Sequence, residues 1–417
     1  MKKLFFLIFV LFFQNLLYPQ SGWMEQSRIP DYSLRAIDFA NNNTGCAVGT
    51  GGIIIRTTNS GANWNYQIIN APQGLTGIKF INENTGFAVG AYSMFRSGNG
   101  GLNWNIHLTY PDIVVPTDII HNIHDSSLYF VDRNSIWKST SHGGTWYIVY
   151  NGGGNIQALK KVFFTSATTG FCVGGKGVTN GVVLKTTNGG VNWSEKSPAD
   201  LSRFLYSSYF INNYTGYVVG LSNNFKGMLY KTTDGAESWT KLVDTLTGGA
   251  VDCSFTNEST GYLIASSNKI YKTTDAGLNF NIQIIPFSSE GFSQIKFIDE
   301  HTGYVVGTPG LIMKTTSGGT TFINYFGEIP LKFGLDQNFP NPFNPSTSIN
   351  FQVPKKSLVV LKVFDLTGRE IQTLVNESMK MGTYSVNFNA YNLSSGVYFY
   401  RLSTDEFVLS RKMTLIK

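Results

Sequence analysis

Apolar and polar residues alternate in short runs along most of this chain, and clusters of Gly, Asn, Ser and Thr separate the runs. Period-two alternation bounded by such clusters predicts β-strands joined by tight turns. The first complete set has Leu34–Phe39, with Ile37 and Phe39 on one face, then a Thr44-Gly45 turn and the apolar run 46–49. A short Gly51-Gly52 turn leads to Ile53–Thr57, and a turn from Asn59 to Trp64 opens a fourth run, 65–69. Four short antiparallel strands with apolar residues on both faces cannot bury themselves alone, so such a set predicts neighbours of the same kind.

The set recurs. The turn Lys185-Thr186-Thr187-Asn188-Gly189-Gly190-Val191-Asn192-Trp193 has counterparts ending at Trp64, Trp104, Trp146, Trp239, Phe280 and Phe322, at intervals of 40 to 47 residues. Its Thr and Asn side chains suit hydrogen bonds to nearby backbone, and its Gly residues suit positive φ. The structural turn is carried by Asn59, Gly61 and Trp64; Asn99, Gly101 and Trp104; Trp146; Asn188, Gly190 and Trp193; Asp234 and Trp239; and Asp275 and Gly277. A second motif, Thr-Gly before an apolar triplet, keeps the same phase at Gly45, Gly86, Gly170, Gly216, Gly261 and Gly303, and a Phe stands six residues before each glycine. In the third repeat Ser126-Ser127 replaces Thr-Gly, and His121 takes the place expected for Phe. Four-stranded units at this period predict an all-β fold, a seven-bladed β-propeller. Gly22-Trp23-Met24-Glu25-Gln26 resembles a spare outer strand, so residues 22–28 are expected to close the last blade beside Leu311–Thr315, with 322–326 competing for that position.

Composition sharpens this picture. Charged residues make up 14% of the 417, aromatics another 14%, and there are 44 glycines, a mix suited to many short strands. The net charge of +6 is uneven: residues 21–330 hold 20 basic and 20 acidic residues, which argues against a nucleic-acid partner. Residues 1–20, with Lys2-Lys3 ahead of an apolar run, read as a signal peptide cut near 19–21; no later run is long enough to cross a bilayer as a helix. Cys46, Cys172 and Cys253 read as buried small hydrophobes rather than a disulfide framework, and neither they nor the five histidines have metal-ligand spacing. No metal and no cofactor are expected.

After Glu328 the texture changes. Residues 329–346 are rich in Pro and Asn, and 347–417 alternate as a small immunoglobulin-like β-sandwich, with strands at 348–353, 359–365, 370–376, Gly382–Asn389, Gly396–Ser403 and 407–415. The stretches Gln337-Asn338-Phe339-Pro340-Asn341-Pro342-Phe343-Asn344-Pro345, Val363-Phe364-Asp365-Leu366-Thr367-Gly368-Arg369 and Leu393-Ser394-Ser395-Gly396-Val397-Tyr398 resemble the type A sorting domain of the type IX secretion system. That resemblance implies export through the type IX machinery as partner, and a secreted or outer-membrane surface location in a Gram-negative bacterium. The repeats in turn resemble Asp-box, or BNR-like, propellers, and most of all those similar to photosystem II stability and assembly factors. The propeller is expected to span 21–328.

Catalysis is weighed on the same residues. Arg28-Ile29-Pro30 resembles the opening of sialidases, but Arg56 and Arg96 sit at the periodic Lys position of the box, so converging arginines are wanting. A glycosidase needs two facing carboxylates, and Asp112, Asp132, Asp200 and Asp252 are candidates. Loops carry function while scaffolds repeat. The variable loops 110–116, 174–180, 199–206, 222–227 and 286–292 share one face and bring Tyr110, Asp112, Lys176, Arg203, Phe204, Phe225 and Lys226 to a rim as candidate ligand contacts. The reading favours a monomeric, non-enzymatic binding or scaffold module for protein or glycan. The alternative is a glycoside hydrolase or lyase with carboxylates near the channel.

Overall fold

The structure is a computed structural model and describes residues 22–71, 73–110, 114–155, 158–176, 180–201, 203–283, 285, 291–319, 324–326, 332–379, 381–390 and 393–416. The expectation of a signal peptide at 1–20 lies outside them. The chain divides into two compact units, one of which is Ser21–Thr320.

This unit is a seven-bladed β-propeller of four-stranded antiparallel sheets. Blade 1 runs Leu34–Phe39, Gly45–Gly49, Ile53–Thr57 and Asn65–Ile68, from channel to rim. The innermost strands of the other six are Leu75–Phe80, Asp118–Asn122, Ala158–Phe164, Leu205–Phe210, Ala250–Phe255 and Gly291–Phe297. Each packs against the next, and the seventh returns to the first. Met24–Ser27 forms the outermost strand of blade 7, antiparallel to Leu311–Thr315. Beside it Trp23 is fully buried, edge-on to Tyr262 and Phe297. The competing segment does not join the blade: Asn324–Phe326 pairs with Gly382–Asn389 in the other unit, so the expected propeller boundary at 328 moves back to about 320.

The box turns show why the repeat tolerates substitution. In each, a buried hydroxyl at the end of the third strand is the hub. Thr186 Oγ1 accepts the Gly190 N–H at 3.0 Å and donates to Asn188 Oδ1 at 3.0 Å. The oxygens of Asn59, Asn99, Asn188, Asp234 and Asp275 each accept the N–H four residues on, at 2.9 Å in every case. In the third copy Ser141 Oγ takes that role at 2.7 Å, so serine does the work of asparagine. Gly61, Gly101, Gly190 and Gly277 have φ between 82° and 91°, and their N–H groups all reach the hub. Trp104, Trp146 and Trp193 close the turn by donating Nε1–H to a carbonyl three residues back, while Trp239 reaches Lys196 in the previous blade and Trp64 packs edge-on to Phe39.

Each clasp also holds its neighbour. Lys138 Nζ and the Tyr129 hydroxyl of blade 3 donate to the Gly189 carbonyl in the turn of blade 4. Lys272 with Tyr262, and Lys314 with Tyr304, do the same from blade 6 to 7 and from 7 to 1. The third repeat is corrected in one detail: Asn122, not His121, faces Ser127 across the turn and occupies the Phe position, where it is buried and donates to the Ser166 carbonyl.

The second unit contains two four-stranded sheets. Asn324–Phe326, Gly382–Asn389, Ser346–Val353 and Gly334–Leu335 form one; Glu370–Met379, Ser357–Phe364, Gly396–Ser403 and Val408–Leu415 form the other. Alternating residues such as Ile349, Phe351, Leu361, Val363, Val386 and Tyr400 fill the core. The buried Asn338 donates to Thr347 Oγ1 and the Pro340 carbonyl, and its N–H donates to the Tyr400 hydroxyl. The Asn-Phe-Pro stretch is thereby fixed to the sandwich.

Candidate functional site

The innermost strands expose one edge to the channel, so their N–H groups need partners. Side chains of the preceding blade supply them. Asp38 Oδ2 accepts the Phe80 N–H at 2.7 Å, Asp118 Oδ2 that of Val162 at 3.3 Å, Asp252 Oδ2 that of Ile295 at 3.0 Å, and Gln294 Oε1 that of Ile37 at 2.6 Å. The free carboxylate oxygens hold lysines. Asp38 pairs with Lys296 at 2.5 Å and with Lys79 at 3.4 Å. Burial opposes its charge, but the two ammonium groups outweigh it and hold the carboxyl below the usual range. Asp252 Oδ1 accepts from Lys161 at 2.8 Å and from the Ser207 hydroxyl. Burial likewise opposes the Lys161 charge, and Asp252 and Asp118 override it and raise its pKa. Burial dominates at Asp118 and pushes its carboxyl up.

Nearer the loop face the backbone does something else. Six of the seven innermost strands carry a β-bulge at the same register, and the bulged residues are Arg35, Thr76, Lys160, Tyr206, Val251 and Ser293. Each stands four residues before the strand-end Phe. A bulge re-aims a side chain, and such devices favour barrel rims and sites. Here all six line one cavity of about 100 Å³, which Thr117 and Asp118 of the unbulged blade 3 complete. The mouth of the channel therefore receives a side chain from every blade. Among the described residues, Arg35 and Lys160 have no ion pair there, and burial holds the Lys160 ammonium below the usual lysine range.

The predicted rim residues divide. Arg203 stacks on the ring of Phe225 at 4.3 Å, and Phe225 is 63% exposed at a loop tip with φ of 58°. Phe204 lies across Gly175, where an added Cβ would strike its ring. Lys176 pairs with Glu195, and Lys226, exposed, borders a groove of about 340 Å³ with Asn223, Asn224, Tyr230, Lys241 and Asp244. These five residues belong to the neighbouring blades 4 and 5. Tyr110 is not on the rim: it is 6% exposed, packed against Phe130 between blades 2 and 3. Asp112 lies outside the described residues.

The three candidate acids among the described residues are already engaged. Asp132 accepts the Ser135 N–H at 2.8 Å and Trp137 Nε1–H at 3.0 Å, Asp200 pairs with Lys241 at 2.6 Å, and both oxygens of Asp252 are occupied. Arg28 is held by Glu25 on the closing strand. The three cysteines are buried and free, and burial pushes the thiols of Cys46 and Cys253 up to about 12, which removes the reactive thiolate. Sequence reasoning missed the bulge ring; its only signal was the constant offset from the strand-end Phe.

Comparison with known proteins fits both units. Residues 337–417 match the secretion system C-terminal sorting domain, and 154–284 with 243–332 match the photosynthesis system II assembly factor YCF48 family. No curated protein matches the chain. Among solved structures, YCF48 bound to D1 peptide is similar over 71% of this chain and 97% of its own, with TM-score 0.60 and 16% identity. YCF48 from Cyanidioschyzon merolae covers 70% of this chain and 98% of its own, with TM-score 0.58 and 17% identity. PorZ, an essential bacterial surface component of the type IX secretion system of Porphyromonas gingivalis, covers 91% of this chain and 59% of its own, with TM-score 0.52 and 12% identity. At such identities these structures speak for the fold. Repeats, blades and matched segments together identify the chain as a BNR-like, YCF48-like β-propeller joined to a C-terminal type IX secretion sorting domain.

Proposed function

We propose that this protein is a non-enzymatic binding module, displayed or released at the cell surface, whose ligand sits on the loop face around the channel mouth. The carrying observation is the ring of bulges, which brings a side chain from six blades into one cavity. Bulges interrupt pairing, and six at one register are more than a closed ring needs, since blade 3 closes without one. The rings of Phe204 and Phe225, the latter carrying the stacked Arg203, supply aromatic surface for a larger ligand, protein or glycan. The sorting domain accounts for delivery, with residues 1–20 acting as the signal for the first export step. Against catalysis stands the use of Asp252, whose two oxygens answer three donors, one of them the Lys161 ammonium, and are thereby committed to holding neighbouring blades together.

Glycan and peptide arrays probed with the full chain test this reading. A ligand is expected whose binding falls at least tenfold in Arg203→Ala or Phe225→Ala and is unchanged in Asn188→Ala on the opposite face. Hydrolysis of a bound glycan that disappears in Asp252→Asn would overturn it in favour of the glycosidase.

A further inference from the structure

The bulge ring carries more than a location. Its cavity is lined by Arg35, Lys160 and Lys161 against Asp118 and Asp252, in a propeller whose residues 21–330 are otherwise balanced in charge. Lys161 is spent on Asp252, and Asp118 gives one oxygen to the Val162 N–H. Arg35 and Lys160 remain, on blades 1 and 4, facing the same small space with no acid paired to either among the described residues. Lys160 is half-buried and Arg35 exposed, and a half-buried cation with no acid beside it is costly. With the guanidinium of Arg35 lining the same mouth, an anion placed there would complete Lys160 and meet a second positive charge. The rest of the lining decides which kind. Thr76, Thr117, Tyr206 and Ser293 are hydroxyl-bearing, and the apolar contribution is Ala36 and Val251. That wall suits a polyhydroxylated residue and offers no pocket for an apolar peptide side chain. A volume of about 100 Å³ admits one charged group and little beyond it.

We infer that the channel mouth receives the acidic group of an anionic glycan, its carboxylate or phosphate held between Arg35 and Lys160. This rests on the loop face being the binding face. Arg35 supplies a planar fork for a carboxylate or phosphate, and Lys160 a point charge from across the channel. The bulges of blades 1 and 4 turn the two cations inward.

The full chain is titrated calorimetrically with trigalacturonate, with its methyl ester, with mannose 6-phosphate, and with a tripeptide bearing a free C-terminal carboxylate. The expected result is that an acidic sugar binds, and that the ester or unphosphorylated sugar binds at least tenfold more weakly. Arg35→Gln and Lys160→Gln should each lose at least tenfold, Lys355→Gln in the sorting domain should lose nothing, and added salt should weaken binding. The carboxylate and phosphate arms tell which acid is preferred. Because neither Arg35 nor Lys160 has an ion pair among the described residues, both variants should melt no lower than the parent, and the melting curve separates lost binding from lost fold. The inference is overturned if no acidic sugar binds at millimolar concentration, if binding survives both substitutions, or if the peptide alone binds. A neutral glycan found on the arrays that depends on Arg203 and ignores Arg35 would overturn it and leave the binding module standing; no loop-face ligand of any kind would sink both.

Discussion

Asp38 illustrates how much one residue does in the channel. Its side chain is 2% exposed, accepts the Phe80 N–H from the next blade and neutralises Lys79 and Lys296. Asp38→Asn leaves two ammonium groups near one another without their acid, and is expected to destabilise the propeller by about 3–5 kcal/mol at pH 7 in urea titration. The pH dependence follows from the sign of the shift. The folded carboxyl is more acidic than the unfolded one, near 3.9, so its contribution is fully present above about pH 4 and is lost as pH falls through the lower folded value. The gap between parent and variant should therefore narrow steadily below about pH 4; a gap independent of pH would mean that the charge is not what stabilises.

At the scale of elements, the blades were legible because their signals are local. Thr-Gly turns, box turns and alternating runs each specify a strand pair within a dozen residues. The outer strand Met24–Ser27 was legible by likeness, since Trp23 repeats the position of Trp64. The bulge ring was not, because a bulge keeps a strand's composition and changes only its register. In composition Arg35 and Lys160 are no different from the polar positions of any alternating strand; only the register sets Arg35 apart, with Leu34 facing Gly49 and Ala36 facing Val48. Tyr110 misled for the opposite reason: it lies in a variable stretch, yet its ring plugs the seam between two blades. The third repeat misled by its shorter turn, which slid Asn122 into a place counted out for His121. The closing strand is testable as an element. Trp23→Ala removes a fully buried ring from between Tyr262 and Phe297 and should cost about 3–5 kcal/mol. Proteolysis should then begin near residues 22–28, detectable by mass spectrometry. Unchanged protection would mean that the ring does not depend on this strand.

For the whole molecule, two compact units divide the labour. The repeats build a ring that gathers side chains from every blade at its axis, and the sandwich holds the Asn338-to-Pro340 stretch against its own core. Removing residues 333–417 is expected to leave the propeller in the periplasm while the full chain reaches the cell surface or medium, as fractionation and immunoblotting would read. Equal surface delivery of the truncated protein would remove the sandwich from the export route.

The pairing of Met24 with Lys314 also sets a timetable. A ring fastened by its first and last strands cannot be completed until the seventh blade exists, so six blades must wait with an open seam. Bringing such distant segments together costs chain entropy on the order of 5 kcal/mol for a loop of this length, and such non-local contacts form late. Once formed, the same contact works in reverse: parting the first blade from the seventh requires releasing this latch, so the time for which that seam resists a protease is set by how slowly the latch lets go.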